Sequence, residues 1–304
     1  MEAKANDGVV PELRELIGLR ALVQGRRAAR RGRHGVQGHA LSNLRGRGME
    51  YAESREYAMG DDARHIDWRL TARSGKPHTK LFQAERERLT LVVADTAPAL
   101  YFGTRVRFKS VQAARAGALA AWLAVRDGDR IAALRGSGRE PPVRATSGPR
   151  GALQVLDALV RWYAAPPADD AGLQVALEHA RRLLRPGSRL LVLADPASIV
   201  ARPPTLWPAL ALHSDVTVLL LVDPLEIQPP AASLPFRLAD GARVRLGLES
   251  RAVRERWHQL FAAQVAAAET LLRRHGVRAL VLASDAPSDA WLPRLDMPVA
   301  RGAA

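Results

Sequence analysis

The sequence predicts an α/β protein: a doubly wound, mostly parallel sheet with helices on both faces, preceded by an irregular basic N-terminal extension. Three observations carry this. From Leu89 onward, short β-rich runs alternate with helical apolar patterns, the order that parallel βα units require. The apolar runs are continuous instead of alternating, which suits strands covered on both faces. Between them, apolar residues recur at spacings of three and four, the period of a helix with one buried stripe.

Taken in order, the expected strands span residues 89–94, 130–134, 189–194, 216–222 and 277–282. Val111, Ala114, Ala118, Ala121, Trp122 and Val125 form a first helical stripe, with Ser110 as its expected N-cap. Leu173, Ala176, Leu177, Ala180 and Leu184 form a second, closed by Pro186-Gly187. A third and longer one runs through Val253, Trp257, Leu260, Phe261, Ala268, Leu271 and Leu272 to Gly276. No repeat of fixed period is visible.

The chain has 304 residues, of which 47% are apolar and 25% charged, enough for a core and incompatible with a disordered or collagen-like class. Cysteine is absent, so disulfides, thiolate metal sites and a cysteine nucleophile are excluded together. The net charge of +14 is almost all arginine; only Lys4, Lys76, Lys80 and Lys109 are lysines. In an alanine-rich, arginine-rich sequence such a charge reflects coding bias and is weak support for nucleic-acid binding. The acids Glu2, Asp7, Glu12 and Glu15 interrupt the N-terminus, unlike a secretory signal. The longest apolar run, 118–125, falls far short of the roughly 18 residues that span a bilayer, so a cytoplasmic protein without membrane insertion is expected.

Composition divides the chain into 1–48, a basic Arg/Gly-rich arm; 49–88, an ordered but irregular segment; and 89–304, the α/β domain. The arm carries Arg20, Arg26, Arg27, Arg30, Arg31, Arg33, Arg45 and Arg47 without an acid between them, a loop-like composition. The second segment interleaves acids and bases with Tyr51, Tyr57, Trp68 and Phe82.

Ligands of such a sheet bind at the carboxyl ends of its strands, beside the point where strand order reverses. Asp95, Asp195, Asp223 and Asp285 follow expected strands there. They suit a divalent-metal or acid/base site, but helix capping explains each one separately, and Asp195-Pro196 and Asp223-Pro224 have the pattern of an N-cap with proline at the first helical position. No GxxxxGK[ST], HExxH or GxSxG run occurs, and His34, His39, His65 and His78 have no metal-ligand spacing. The densest polar constellation is Arg55, Tyr57, Gly60, Asp61, Asp62, Arg64, Asp67, Trp68, Arg69 and Arg73. Carboxylates among arginines suit phosphate handling, a partner surface or an ion-pair network that anchors the segment; the density of opposite charges favours the last.

The run from Arg55 to Arg73, together with Gly46-Arg47-Gly48 and Glu85-Arg86-Glu87-Arg88, resembles the domain of unknown function 58 family, whose pattern is roughly REYxxGDDxRxIDWxxTAR. Phe102-Gly103, Lys109-Ser110, Gly128-Asp129-Arg130 and Asp223-Pro224-Leu225-Glu226 extend the match over about residues 33 to 285. The family is similar to von Willebrand factor A domains in its C-terminal part. The resemblance implies a non-enzymatic adaptor or co-chaperone that works with a MoxR-type AAA+ ATPase in maturing or assembling a client protein complex. It implies no cofactor.

One departure bears on metal. Von Willebrand factor A domains hold a divalent cation with a DxSxS run, where this chain has Asp95-Thr96-Ala97-Pro98-Ala99. Ala97 and Ala99 offer no side-chain oxygen, and no threonine occurs at 170–172 for the later ligand. Asp95 and Asp195 are then remnants of a degenerate site, and no tight Mg²⁺ binding is expected. The rim at Asp95, Asp195, Asp223 and Glu226 becomes the expected partner face. The 55–73 run is expected to brace the fold, with Asp67 and Arg64 as buried charges. The alternative is a nucleic-acid-binding protein that uses the arginine arm, against which stands the arm's lack of aromatic residues for base stacking.

Overall fold

The computed structural model describes residues 8–25, 49–84, 88–238 and 241–295, with 49–53 and 81–84 as backbone only. Most of the arginine arm lies outside the described residues, as do Gly46-Arg47-Gly48 and Glu85-Arg86-Glu87. The chain forms two compact units: residues 33–87, and residues 1–32 with 88–304.

The first described residues are not a loop-like arm. They form two short helices, α1 (Leu13–Gly18) and α2 (Arg20–Gln24). Leu16, Leu19 and Val23, spaced by three and four, are buried in the core of the larger unit. Trp122 Nε1 donates to the Leu16 carbonyl at 3.1 Å, the Arg20 guanidinium lies 5.5 Å from the centre of the Trp122 ring, and Arg115 pairs with Glu15.

The 33–87 unit is more regular than its composition suggests. Strands β1 (Met49–Glu56) and β2 (His78–Ala84) pair antiparallel from Met49–Ala84 to Glu56–His78, with a bulge between Tyr51 and Glu53. A 3₁₀ turn (Ala63–His65) and helix α3 (Trp68–Ser74) fill the connection. Interleaved charge conceals this pairing, because its register follows from closing one long loop and not from an apolar alternation.

The larger unit continues with β3 (Leu89–Ala94), α4 (Lys109–Asp127), β4 (Arg130–Arg135), β5 (Val143–Ser147), α5 (Gly148–Ala164), α6 (Gly172–Leu183) and β6 (Arg189–Ala194). Then come α7 (Pro196–Val200), α8 (Leu206–Ala211), β7 (Asp215–Val222), α9 (Pro224–Ile227), β8 (Ser233–Arg237) and β9 (Arg243–Gly247). Helices α10 (Arg251–Leu260) and α11 (Ala262–Arg274) and strand β10 (Arg278–Ala283) complete it. Six strands form one sheet in the order β10-β7-β6-β3-β4-β5, all parallel except β5, while β8 and β9 pair as a separate hairpin.

Both faces of the sheet are covered, which accounts for the continuous apolar runs. Val92, Ala94, Leu191 and Leu193 face one core with α1, α2, α4 and α5. Leu91, Val93, Leu190 and Val192 face the other with α6, α8 and α11. The five expected strands are present within one residue at each end. Three local expectations change. Phe108, and not Ser110, precedes α4; Ser110 is fully buried in its first turn. The long third stripe is two helices that break at Phe261 (φ −123°, ψ −68°). Helix α5, whose stripe of Ala152, Val155, Leu156, Leu159 and Trp162 is buried, and edge strand β5 were legible in the pattern but not among the expected elements.

Where β4 ends, the 170–172 loop crosses close to the sheet. Ala171 N donates to the Gly136 carbonyl at 2.8 Å, and a Cβ on Gly136 would lie 2.1 Å from the Gly172 carbonyl oxygen. Since both atoms are held by backbone, Gly136→Ala is expected to destabilise the fold by about 1–3 kcal/mol, seen as a lower denaturant midpoint at unchanged slope.

Candidate functional site

Strand β3 has β4 on one side and β6 on the other, so the connections leaving it and those returning beside it diverge at its carboxyl end. This is where an open α/β sheet places its ligand crevice. Asp95 follows β3 and Asp195 follows β6, and the sheet pairing brings them together. Asp95 N donates to the Leu193 carbonyl at 2.9 Å, and Asp195 N donates to Asp95 Oδ2 at 3.2 Å. The other oxygen, Asp95 Oδ1, accepts from Ala97 N at 3.1 Å. Asp195 also caps α7, where Pro196 begins the helix and Ala197 N donates to Asp195 Oδ1 at 2.9 Å.

The next strand end is saturated. Asp223 forms a capping box with Glu226 at the start of α9. Its carboxylate also accepts from Thr104 N at 3.0 Å, Thr104 Oγ1 at 2.6 Å and Ser284 Oγ at 2.7 Å. Glu226 Oε2 accepts from Asp223 N at 2.8 Å, which leaves Oε1 directed elsewhere. Its partner comes from the first residue of α4: Lys109 Nζ donates to Glu226 Oε1 and to Asp195 Oδ2, each at 2.7 Å.

All five side chains are internal, with residue exposures of 0% for Lys109 and Asp223, 1% for Asp95, 4% for Glu226 and 6% for Asp195. Burial disfavours the Lys109 ammonium, but Glu226 and Asp195 outweigh it and hold the lysine charged above its usual range. Burial pushes Glu226 up, and the ammonium pulls it only partly back. The pKa of Asp95, which receives no ammonium, is raised to about 6, chiefly by burial and further by the neighbouring Asp195 charge. Thr96 Oγ1 and Ser110 Oγ are buried here without a hydrogen-bond partner among the described residues.

A second network closes the β4 side of the same end. Arg135 reaches Glu140 at 3.0 Å and Asp169 at 2.7 Å, Ser137 Oγ donates to Asp169 at 2.6 Å, and Trp162 Nε1 donates to Glu140 at 2.8 Å. Asp285 faces Arg105 at 3.7 Å on the exposed side.

In the 33–87 unit the motif residues divide into two groups. Arg55 pairs with Asp61 at 2.6 Å, Ala58 N donates to Asp61 Oδ2 at 2.9 Å, and Tyr57 OH donates to the Asp61 carbonyl at 3.2 Å. Gly60 holds the turn between them at φ +106°, which a side chain rarely adopts. Asp62 caps the 3₁₀ turn through Arg64 N, and Asp67 caps α3 through Leu70 N at 3.1 Å while accepting from Ser54 Oγ at 3.1 Å. The backbone amides of Ala58 and Leu70 are the main cause of the lowered pKa values of Asp61 and Asp67. Arg64, Trp68, Arg69 and Arg73, by contrast, are exposed. Arg64 is therefore not the buried charge that the pattern suggests, and Asp67 is only half-buried. Asp67→Ala is expected to speed amide exchange across residues 68–74 by removing the cap, whereas Asp67→Asn and Arg64→Ala leave it near the wild-type rate.

With both units described, the family assignment follows. A family model described as "Protein of unknown function DUF58" matches residues 53–267, from the motif strand into α11. The chain belongs to this family. Two relatives are the uncharacterized proteins Mb1516 of Mycobacterium bovis and Rv1480 of Mycobacterium tuberculosis. Each is 29% identical over 254 residues, covering 82% of this chain and 79% of its own.

The DUF58 crevice does not fit the divalent cation of von Willebrand factor A domains. Ala97 and Ala99 bring no side-chain oxygen, and Lys109 Nζ already lies against Asp195, one of the two acids left at that position, and against Glu226. No cluster of three His, Asp or Glu side chains suited to a metal occurs among the described residues. The expected partner face also changes. Asp95, Asp195, Asp223 and Glu226 are buried and bonded to one another, to backbone or to Lys109, so they support the rim without presenting a surface. The exposed positions above them are Pro98, Ala99, Thr104, Arg105 and Val106. Sequence reasoning missed Lys109 as a site residue. Its signal was a lysine at the head of an apolar helix in a chain where arginine supplies nearly every other positive charge. Among the described residues no helix is long and apolar enough to cross a membrane.

Proposed function

We propose that this DUF58 protein is a non-enzymatic, cytoplasmic interaction module, an adaptor or co-chaperone for a MoxR-type AAA+ ATPase acting on a client protein complex. The observation that carries this reading is a crevice whose charged groups are bonded internally. Where an α/β enzyme presents reactive groups, this chain ties Asp195 and Glu226 to Lys109 and saturates Asp223 with four donors. Such an arrangement fixes the loops of the rim and leaves their outer residues for recognition. The ATPase partner is the part contributed by the family resemblance.

The test is an affinity pull-down from nuclease-treated native lysate at physiological salt, with Arg105→Glu/Val106→Glu beside wild type. Both positions are exposed and lie outside the buried network, Val106 at 52%. Recovery of an AAA+ ATPase with wild type and its loss in a correctly folded variant support the adaptor and its contact face. Absence of any ATPase removes this reading, and recovery of nucleic acid alone from untreated lysate transfers function to the arginine arm.

A further inference from the structure

We propose that the outer edge of β9 is a docking site for an extended acidic segment of a partner protein, which adds to the β8–β9 hairpin as a third strand. The inference stands apart from the ATPase reading, since it concerns one edge and the chemistry that edge takes.

The hairpin is fixed from one side. Its pairing sets Leu234 and Phe236 opposite Leu246 and Val244, so these four side chains share a face. That face is anchored through an aromatic row: the Phe236 ring lies 6.5 Å from Phe102 and 5.9 Å from Trp257, and Trp257 Nε1 donates to the Leu225 carbonyl at 3.0 Å. The opposite face carries Pro235, Arg237, Arg243 and Arg245, all exposed. Arg237 stands directly across from Arg243, a like-charge pair that costs stability unless an acid joins it. Among the described residues, none of these three guanidinium groups has an ion-pair or hydrogen-bond partner.

The backbone decides which edge is open. Leu238 N donates to the Ala242 carbonyl at 2.8 Å, so the alternation of an antiparallel ladder makes Phe236–Val244 and Leu234–Leu246 the bonded pairs. The amides and carbonyls of Arg243 and Arg245 then point away from β8, along an edge that pairs with no other strand among the described residues. On the outer edge of β8 the matching position is Pro235, which has no N–H to offer and closes that side to a new strand. Val244, 47% exposed, leaves apolar surface beside the open edge.

Each feature sets a property of the occupant. Outward amides and carbonyls take an extended backbone. Arg243 and Arg245 share one face and take carboxylates at alternate positions, while Val244 on the other face takes an apolar side chain between them. A second copy of this chain is disfavoured, because two β9 edges would set arginine against arginine. A nucleic acid would engage the guanidinium groups and leave the amides and Val244 unused.

The probe is a capped, fluorescein-labelled peptide of alternating glutamate and valine, titrated into the full chain at about 0.1 M salt. Saturable binding is expected, with amide exchange slowed about tenfold or more at Arg243 and Arg245 and unchanged at Val244. Two further peptides are N-methylated, one on its glutamates and one on its valines. Only one set of amides can face β9, so one peptide should lose binding about tenfold or more while the other keeps it. Arg243→Glu/Arg245→Glu should bind a lysine–valine peptide in place of the acidic one, which also shows that the variant folds. Equal effects of the two methylations, or equal binding of a peptide with its glutamates grouped at one end, overturn strand addition. Absence of saturable binding by wild type rejects the site and leaves Pro235 and the arginines as guards against self-pairing. Tighter binding of a single-stranded oligonucleotide of equal charge, lost in the same variant, overturns the proposal in favour of nucleic acid.

Discussion

Lys109→Met is expected to destabilise the α/β unit by about 3–5 kcal/mol, the usual effect of removing one partner from a buried ion pair and leaving the other uncompensated. The methionine fills most of the lysine volume, so the loss reports charge and not a cavity. Asp195 and Glu226 then face each other at the crevice with only backbone donors, and Asp95 adds a third carboxyl group. Neutralising the acids should return much of the loss: Lys109→Met with Asp195→Asn and Glu226→Gln is expected to be clearly more stable than Lys109→Met alone. Denaturant unfolding of the single, double and triple variants gives the coupling energy. Additive effects, with no recovery in the triple variant, would mean that the ammonium contributes little beyond packing.

The second large effect is a pH dependence centred on Asp95. Its pKa is raised from the ordinary 3.8 to about 6 in the folded protein. Between these values the folded state holds a proton that the unfolded chain has released, so stability falls as pH rises through the window and is flat, for this group, above it. A shift of about two units corresponds to about 3 kcal/mol. Asp95→Asn cannot ionise and escapes this loss. Its stability relative to wild type should therefore climb by about 2 kcal/mol between pH 4 and pH 6.5 and then level off. The absolute offset is set separately, because asparagine has one acceptor oxygen where Asp95 uses two, toward Ala97 N and Asp195 N. A difference that stays constant across the window would show that Asp95 ionises near its ordinary pH inside the fold.

These expectations rest on contacts of very different visibility in the sequence. The capping roles of Asp195 and Asp223 were legible, because an aspartate before proline at a strand end satisfies the first amides of a helix by local geometry alone. The motif run gave the family and the position of its turns, with Asp61, Asp62 and Asp67 bonding within a few residues of themselves. The exposure of Arg64, Trp68, Arg69 and Arg73 was not legible, since density of opposite charge looks the same whether a residue pairs inward or faces water. The helices at 13–24 were overlooked for a related reason: Leu16, Leu19 and Val23 have helical spacing, but a stripe of three does not say what it packs against.

By itself, then, the sequence determined the five parallel strands, the two-faced burial that their unbroken apolar runs require, the family, and the absence of side-chain oxygens at Ala97 and Ala99. These follow from periodicity, composition and short-range chemistry, which act over a few residues. Only the tertiary structure decided what occupies the crevice. Lys109 lies 86 residues from Asp195 and 117 from Glu226, and its place at the head of an apolar helix does not say which groups it meets. Its charge is retained because folding places it between two buried carboxylates, and that arrangement exists only once the sheet has brought three distant segments to one strand end.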